Sequence, residues 1–293
     1  MRDSTPAPRI GAPRLAFPAL ILANIVLAFG PTLVRLADVG PVAAGFWRLA
    51  IALPFLFLLA RPGLKAARPS ARQGIAIGIA GLFFAADLAA WHAGIHHTKV
   101  ANSTLFGNVS ALVLPLWAVF VLGQRLRPLQ IVALALAAVG AAILMGGSYE
   151  VSPRYLRGDL LCLLAGLFYA IYLLLVQDAR RRLDSWSVLS IASLAGALPL
   201  LIAALAMGER VLPGDWTPVI ALAVSSQLVG QGLMTYAIGW FSPLVLGLSL
   251  LLQPAVAALL GWLLFGETMS MTDGVGALAV GAALVLVRLP ARA

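Results

Sequence analysis

Residues Ala138 to Leu144 read Ala-Val-Gly-Ala-Ala-Ile-Leu, and Ala279 to Val285 read Ala-Val-Gly-Ala-Ala-Leu-Val, 141 residues later in a chain of 293. A near-copy at about half the chain length is the mark of an internal duplication. Weaker echoes keep a similar offset, 141 to 145 residues. Ala52-Leu53-Pro54 returns as Ala197-Leu198-Pro199, Gly123-Gln124 as Gly266-Glu267, and Ala93 to Thr98 as Ala237 to Ser242. The chain therefore divides into two related halves.

Composition says what each half is made of. Hydrophobic residues are 61% of the chain and charged residues 11%, with mean hydropathy +0.98, whereas soluble domains carry about 25% charge. A soluble enzyme is excluded. Apolar runs fall at about 15–34, 42–60, 73–96, 100–122, 130–145, 158–176, 186–207, 216–240, 243–265 and 272–289. At about 20 residues per crossing, the expectation is an all-α integral membrane protein with ten transmembrane helices. Five helices per half is an odd number, so the second repeat must enter the membrane inverted. The predicted organisation is a tail (1–14), a first repeat (15–146), a linker loop (147–157) and a second repeat (158–290).

Lys and Arg set the orientation. Fourteen lie on the side that holds both termini, among them Arg61, Lys65, Arg68, Arg72, Arg125, Arg127 and Arg180 to Arg182, and five on the other side. Both termini are expected in the cytoplasm. The net charge of +9 is thereby explained by topology, and no nucleic acid partner is expected. Cys162 is the one cysteine, which excludes an intrachain disulfide and a thiolate zinc cluster. No HExxH, GxSxG, CxxC or Walker A stretch occurs. The expectation is no enzyme activity, no cofactor and no metal; the partners are a small-molecule substrate and membrane lipid, with the chain a monomer or weak homodimer. Inverted five-helix repeats are a transporter architecture.

Several short motifs keep their order along both halves: Phe46-Trp47-Arg48, Leu122 to Leu126, Gly158 to Leu161, Gln253-Pro254 and Phe265-Gly266-Glu267. Through them the chain, over about residues 15 to 290, resembles the EamA family of the drug/metabolite transporter superfamily. Gln124 stands where that family usually carries an acid, while Glu267 keeps it. Trp91-His92 and the His96-His97-Thr98 turn look most like the branch that exports aromatic amino acids. The resemblance implies export across the bacterial inner membrane by alternating access.

Buried ionisable groups are the first site candidates, since charge within a bilayer is costly. Asp87 and Arg48 read either as a coupling pair or as a structural ion pair. Trp91 shares the face of Asp87 at i+4, whereas His92 at i+5 points about 140° away. The repeat offset matches Asp87 to Gln231 and His92 to Tyr236. His92 and Tyr236 could bracket a substrate or cap their own helices. Asn108, Gln231 and Gln253 could bind a zwitterion's ends or join helices. Tyr169, with Trp117 and Tyr172, offers flat faces within helices, while Trp186, Trp216 and Trp240 read as interfacial anchors. Gly74 and Gly78 suggest a small-residue packing stripe, and Pro54, Pro115, Pro199 and Pro254 suggest breaks. The expected substrate-binding set is Trp91, His92, Asn108, Tyr169, Gln231, Tyr236 and Gln253. The expected cargo is a neutral, aromatic amino acid or related metabolite; the alternative is a proton-coupled exporter of cationic drugs that uses Asp87.

Overall fold

The computed structural model describes residues 13–98, 103, 106–146, 153–256, 259 and 271–286. Phe265, Gly266 and Glu267, singled out in the sequence, lie outside them. All regular structure among the described residues is helical, as apolar chain in lipid requires: with no water available, each segment must satisfy its own backbone hydrogen bonds.

The elements are α1 (Ala16–Leu27), α2 (Gly30–Leu36), α3 (Pro41–Ala66), α4 (Ala71–Ile95), α5 (Ser110–Phe120), α6 (Pro128–Gly146), α7 (Leu156–Ala179), α8 (Ser185–Ala206), α9 (Thr217–Leu222), a π-helix (Ala223–Gln231), α10 (Gly232–Ile238), α11 (Pro243–Leu250) and α12 (Met271–Leu286). Among the described residues, six stretches are long and apolar enough to cross a membrane: 16–36, 41–66, 71–95, 156–179, 185–206 and 217–238. Shorter apolar helices, α5, α6, α11 and α12, occupy the other four apolar runs.

Local chemistry fixes the helix starts. Ser70 and Gln73 form a reciprocal capping box that opens α4, with bonds of 2.9 and 3.3 Å. Asp184 accepts from the amides of Trp186 and Ser187, each at 3.0 Å, to open α8. The α3 N-terminus is capped from the other repeat, where the Glu209 carboxylate accepts from Ala43 N at 2.8 Å and Val42 N at 3.2 Å. That carboxylate meets the unsatisfied amides and the positive end of the helix dipole together. Trp47 Nε1 adds a bond to the Val211 carbonyl at 2.7 Å, and its ring meets Trp216 edge-on at 4.9 Å. Trp216 is thus part of this junction as well as 41% exposed.

Packing follows the repeat. α3 packs on α8 and α6 on α12, each element against its own counterpart, and α5 packs on α11, which belongs to the counterpart apolar run. The remaining major contacts exchange in pairs: α4 on α7 corresponds to α1 on the π-helix and α10, and α4 on α8 corresponds to α3 on the π-helix. Exchanging the two halves preserves these major helix pairings. Gly81 brings α4 against the Ala192 backbone of α8, and a methyl built on Gly196 would lie 2.8 Å from the Gly81 carbonyl. The expected Gly74 and Gly78 stripe is corrected: a methyl at either position would meet nothing within 4 Å. Ile77 between them is buried in the core, so only the face that carries the two glycines is open, and the close approach comes one and two turns later, at Gly81.

Candidate functional site

The break between α1 and α2 opens the centre of the bundle. Leu27, Ala28, Gly30 and Pro31 line a cavity there together with Arg48 from α3, Phe84, Asp87, Leu88 and Trp91 from α4, and Gly107, Asn108 and Ser110 around the start of α5. Tyr169 of α7, Gln231 of the π-helix, and Leu250 and Gln253 complete the wall. Its volume, about 90 Å³, holds several waters' worth of ligand.

Arg48 is 4% exposed. Its Nε donates to Gln227 Oε1 at 3.1 Å, and its guanidinium sits 5.5 Å from the Phe84 ring centroid. Among the described residues no Arg48 nitrogen lies within 4 Å of an Asp87 carboxylate oxygen, although the two charges are close enough to act on each other. The Arg48 head is turned to an amide and an aromatic face, and both side chains belong to one cavity wall.

The amides are ordered by their neighbours. Gln231 Nε2 donates to the Tyr169 hydroxyl at 3.3 Å, and Gln231 Oε1 is buried with no partner among the described residues. Gln253 Nε2 donates to Asn24 Oδ1 at 3.0 Å, while Asn24 Nδ2 donates to the Leu20 carbonyl at 2.9 Å and to Ser249 Oγ at 3.3 Å. Behind the wall, Phe84 stacks on Tyr172 at 4.6 Å and Tyr172 on Tyr169 at 5.8 Å. Tyr172 is therefore part of the packing that backs the site.

The structure gathers Arg48, Asp87, Trp91, Asn108, Tyr169, Gln231 and Gln253 around this cavity and leaves His92 and Tyr236 out of its lining. His92 is fully buried on the opposite face of α4, against Gly45 and Leu88, with Nδ1 2.8 Å from the Pro41 carbonyl. Tyr236 is half-buried on α10. Trp117 is 40% exposed on the outside of the bundle. The sequence reading missed Phe84, Asn24 and the α1–α2 junction. Asn24 carried a usable signal, a lone amide in an apolar run; Phe84 carried none, being one apolar residue among many. No group of three or more His, Cys, Asp or Glu side chains that could hold a metal occurs among the described residues.

Comparison with known proteins adds three findings. The model of the EamA-like transporter family matches residues 14–146 and 156–289. An uncharacterized transporter of Archaeoglobus fulgidus is 27% identical over 190 residues, 64% of this chain and 67% of that protein. A protein of known crystal structure superposes with TM-score 0.77 at 19% identity, over 95% of this chain and 98% of its own, a likeness of fold.

Proposed function

The chain belongs to the EamA-like transporter family of multi-pass membrane proteins, and from that premise we propose that it exports neutral α-amino acids, aromatic ones in particular, or closely related metabolites. The carrying observation is a buried guanidinium and a carboxylate that face one cavity without a direct ion-pair contact among the described residues. A zwitterion fits that arrangement with its carboxylate toward Arg48 and its ammonium toward Asp87 and the unpartnered Gln231 Oε1. Trp91, Phe84 and Tyr169 supply the apolar wall for a flat side chain. The cargo's net charge is zero, so the site takes it from water without leaving a charge unpaired in the membrane.

The accompanying topology is ten crossings as two inverted repeats, with both termini cytoplasmic in a bacterial inner membrane, and alternating access between the repeats. Counterflow in proteoliposomes tests the cargo directly. Radiolabelled L-phenylalanine and L-leucine should exchange, and nucleosides should not. If both amino acids fail while another class moves, the reading is wrong.

A second reading, a proton-coupled exporter of cationic drugs, is favoured by one observation only, that Asp87 lines the cavity beside Trp91. Arg48 on the same wall opposes it. Asp87→Asn separates the two: a rise of about tenfold in amino-acid KM supports the zwitterion site. Lost dye efflux together with unchanged amino-acid flux supports the drug exporter.

A further inference from the structure

We infer that Gln227, held in turn by Ser193, is the positioning residue that aims the Arg48 guanidinium into the cavity and so sets preference for cargo bearing a carboxylate. This deepens the cargo reading above and rests on it. Gln227 lies in the π-helix, and both ends of its amide are committed. Oε1 accepts from Arg48 Nε at 3.1 Å, and Nε2 donates to Ser193 Oγ at 2.9 Å. Gln227 and Ser193 have no solvent exposure. A side-chain amide bonded at both ends cannot turn over, so the one Arg N–H that it holds fixes the plane of the whole guanidinium.

The remaining donors of Arg48 belong to its two Nη atoms. Among the described residues none of these N–H groups meets a carboxylate within 4 Å, and Arg48 is part of the cavity wall. A planar fork of donors held at one edge and open at the other is the arrangement that receives a carboxylate. Left unheld, a long guanidinium side chain would swing toward Asp87 and close the site by forming the ion pair that the structure lacks.

The surrounding backbone supports the same role. The π-helix spans Ala223–Gln231, and π geometry recurs where a side chain is redirected for function. Within it Gln227 reaches Arg48 on α3 and Ser193 on α8, while Gln231, four residues on, reaches Tyr169 on α7. Ser193 also stands 145 residues after Arg48, the offset that relates Pro54 to Pro199. Arg48 and Ser193 are thus repeat counterparts on the packed pair α3 and α8, and Gln227 bridges them.

The test is a cycle of transport measurements in proteoliposomes with L-phenylalanine and with phenylethylamine, which lacks the carboxylate. Gln227→Leu should raise the phenylalanine KM about tenfold with little change in maximal rate, and leave phenylethylamine inhibition unaltered. In an Arg48→Gln background, Gln227→Leu should add nothing further. Ser193→Ala, the milder change and the usable one if Gln227→Leu fails to fold, should raise KM about threefold and also lose its effect in Arg48→Gln. The relay is overturned if either variant leaves the phenylalanine KM unchanged, lowers maximal rate alone, or costs as much without Arg48 as with it. A wild-type protein that moves no carboxylate-bearing cargo overturns the cargo reading, and the relay with it. The wild-type lane therefore separates the two failures.

Discussion

Among individual residues, the pair Trp91 and His92 shows how a single step along a helix decides a role. Trp91 follows Asp87 by four residues and lines the cavity with it, whereas His92 points across to α3. The face was legible from the helical period alone; the partner was not, because the Pro41 carbonyl comes from a different helix. A carbonyl can only accept, so His92 Nδ1 carries the proton, and Nε2 is left buried without a partner among the described residues. The histidine serves to join α4 to α3. His92→Ala should therefore lower stability in detergent by about 2 to 4 kcal/mol and leave the KM for cargo within about twofold of wild type, since His92 itself is not part of the cavity lining. Thermal unfolding alongside counterflow distinguishes the cases: a tenfold rise in KM at unchanged melting temperature would return His92 to the site. The same reasoning separates the aromatics. Tyr169 and Trp117 look alike in sequence, each within an apolar run, yet one faces the cavity and the other the outside. Only neighbouring helices decide that, and no periodicity within one helix reports them.

Helices and their interruptions tell a different story from the prolines. Pro54, Pro115 and Pro199 lie inside continuous helices, where loss of one hydrogen bond is tolerated because neighbours cover the freed carbonyl. The interruptions that shape the site are the α1–α2 break, just before Gly30-Pro31, and the π-helix. The first was readable, since proline at a helix's first turn marks a new start; the second was not, because a π turn depends on what the widened segment can bond to across the bundle. Glycine had the same limit. Gly74, Gly78 and Gly81 are equivalent as letters, but only Gly81 meets a neighbouring backbone, that of Ala192. Gly81→Ala should destabilise by about 1 to 3 kcal/mol as α4 and α8 are forced apart. Gly78→Ala, which adds a methyl to open space and removes a flexible residue, should be neutral or stabilising by up to about 1 kcal/mol. Melting temperatures of the two variants in one detergent check both; equal losses would mean that α4 packs on both faces.

Across the whole molecule, the duplication was legible because sequence echoes survive at one offset, and the contacts exchange between halves as those echoes require. What the echoes could not carry is the difference between the halves. Arg35 and Arg180 stand 145 residues apart, at the ends of α2 and α7, yet they are placed differently. Arg180 is 6% exposed; its Nε donates to the Thr235 carbonyl at 2.9 Å, and Nη1 donates to the Leu183 carbonyl. Gln177 adds a bond to the Phe241 carbonyl at 2.7 Å, so the end of α7 is tied to the end of α10. At the matching place in the first half Arg35 is exposed, standing near His96, whose titration is held below the ordinary histidine range by desolvation first and then by the Arg35 charge. The bonds that Arg180 makes at the end of α7 thus have no equivalent at Arg35, where the matching end of the molecule is joined instead by Glu209, Trp47 and the Arg210–Asp38 ion pair. Under the alternating access proposed above, the halves exchange these arrangements, and Arg180 holds the present state. Arg180→Gln should release it: losing the bonds of a buried charged donor costs about 1.5 to 3 kcal/mol, enough to shift the balance of states by about tenfold or more. Spin labels at Asp178 and Ser242 should then move apart while labels at Leu36 and His97 draw together. Arg35→Gln should leave both distances at their wild-type values when no cargo is present, because Arg35 makes no latch in this state. If Arg180→Gln moves neither pair, the bonds at the end of α7 are static packing and the asymmetry between the repeats does not report the transport cycle.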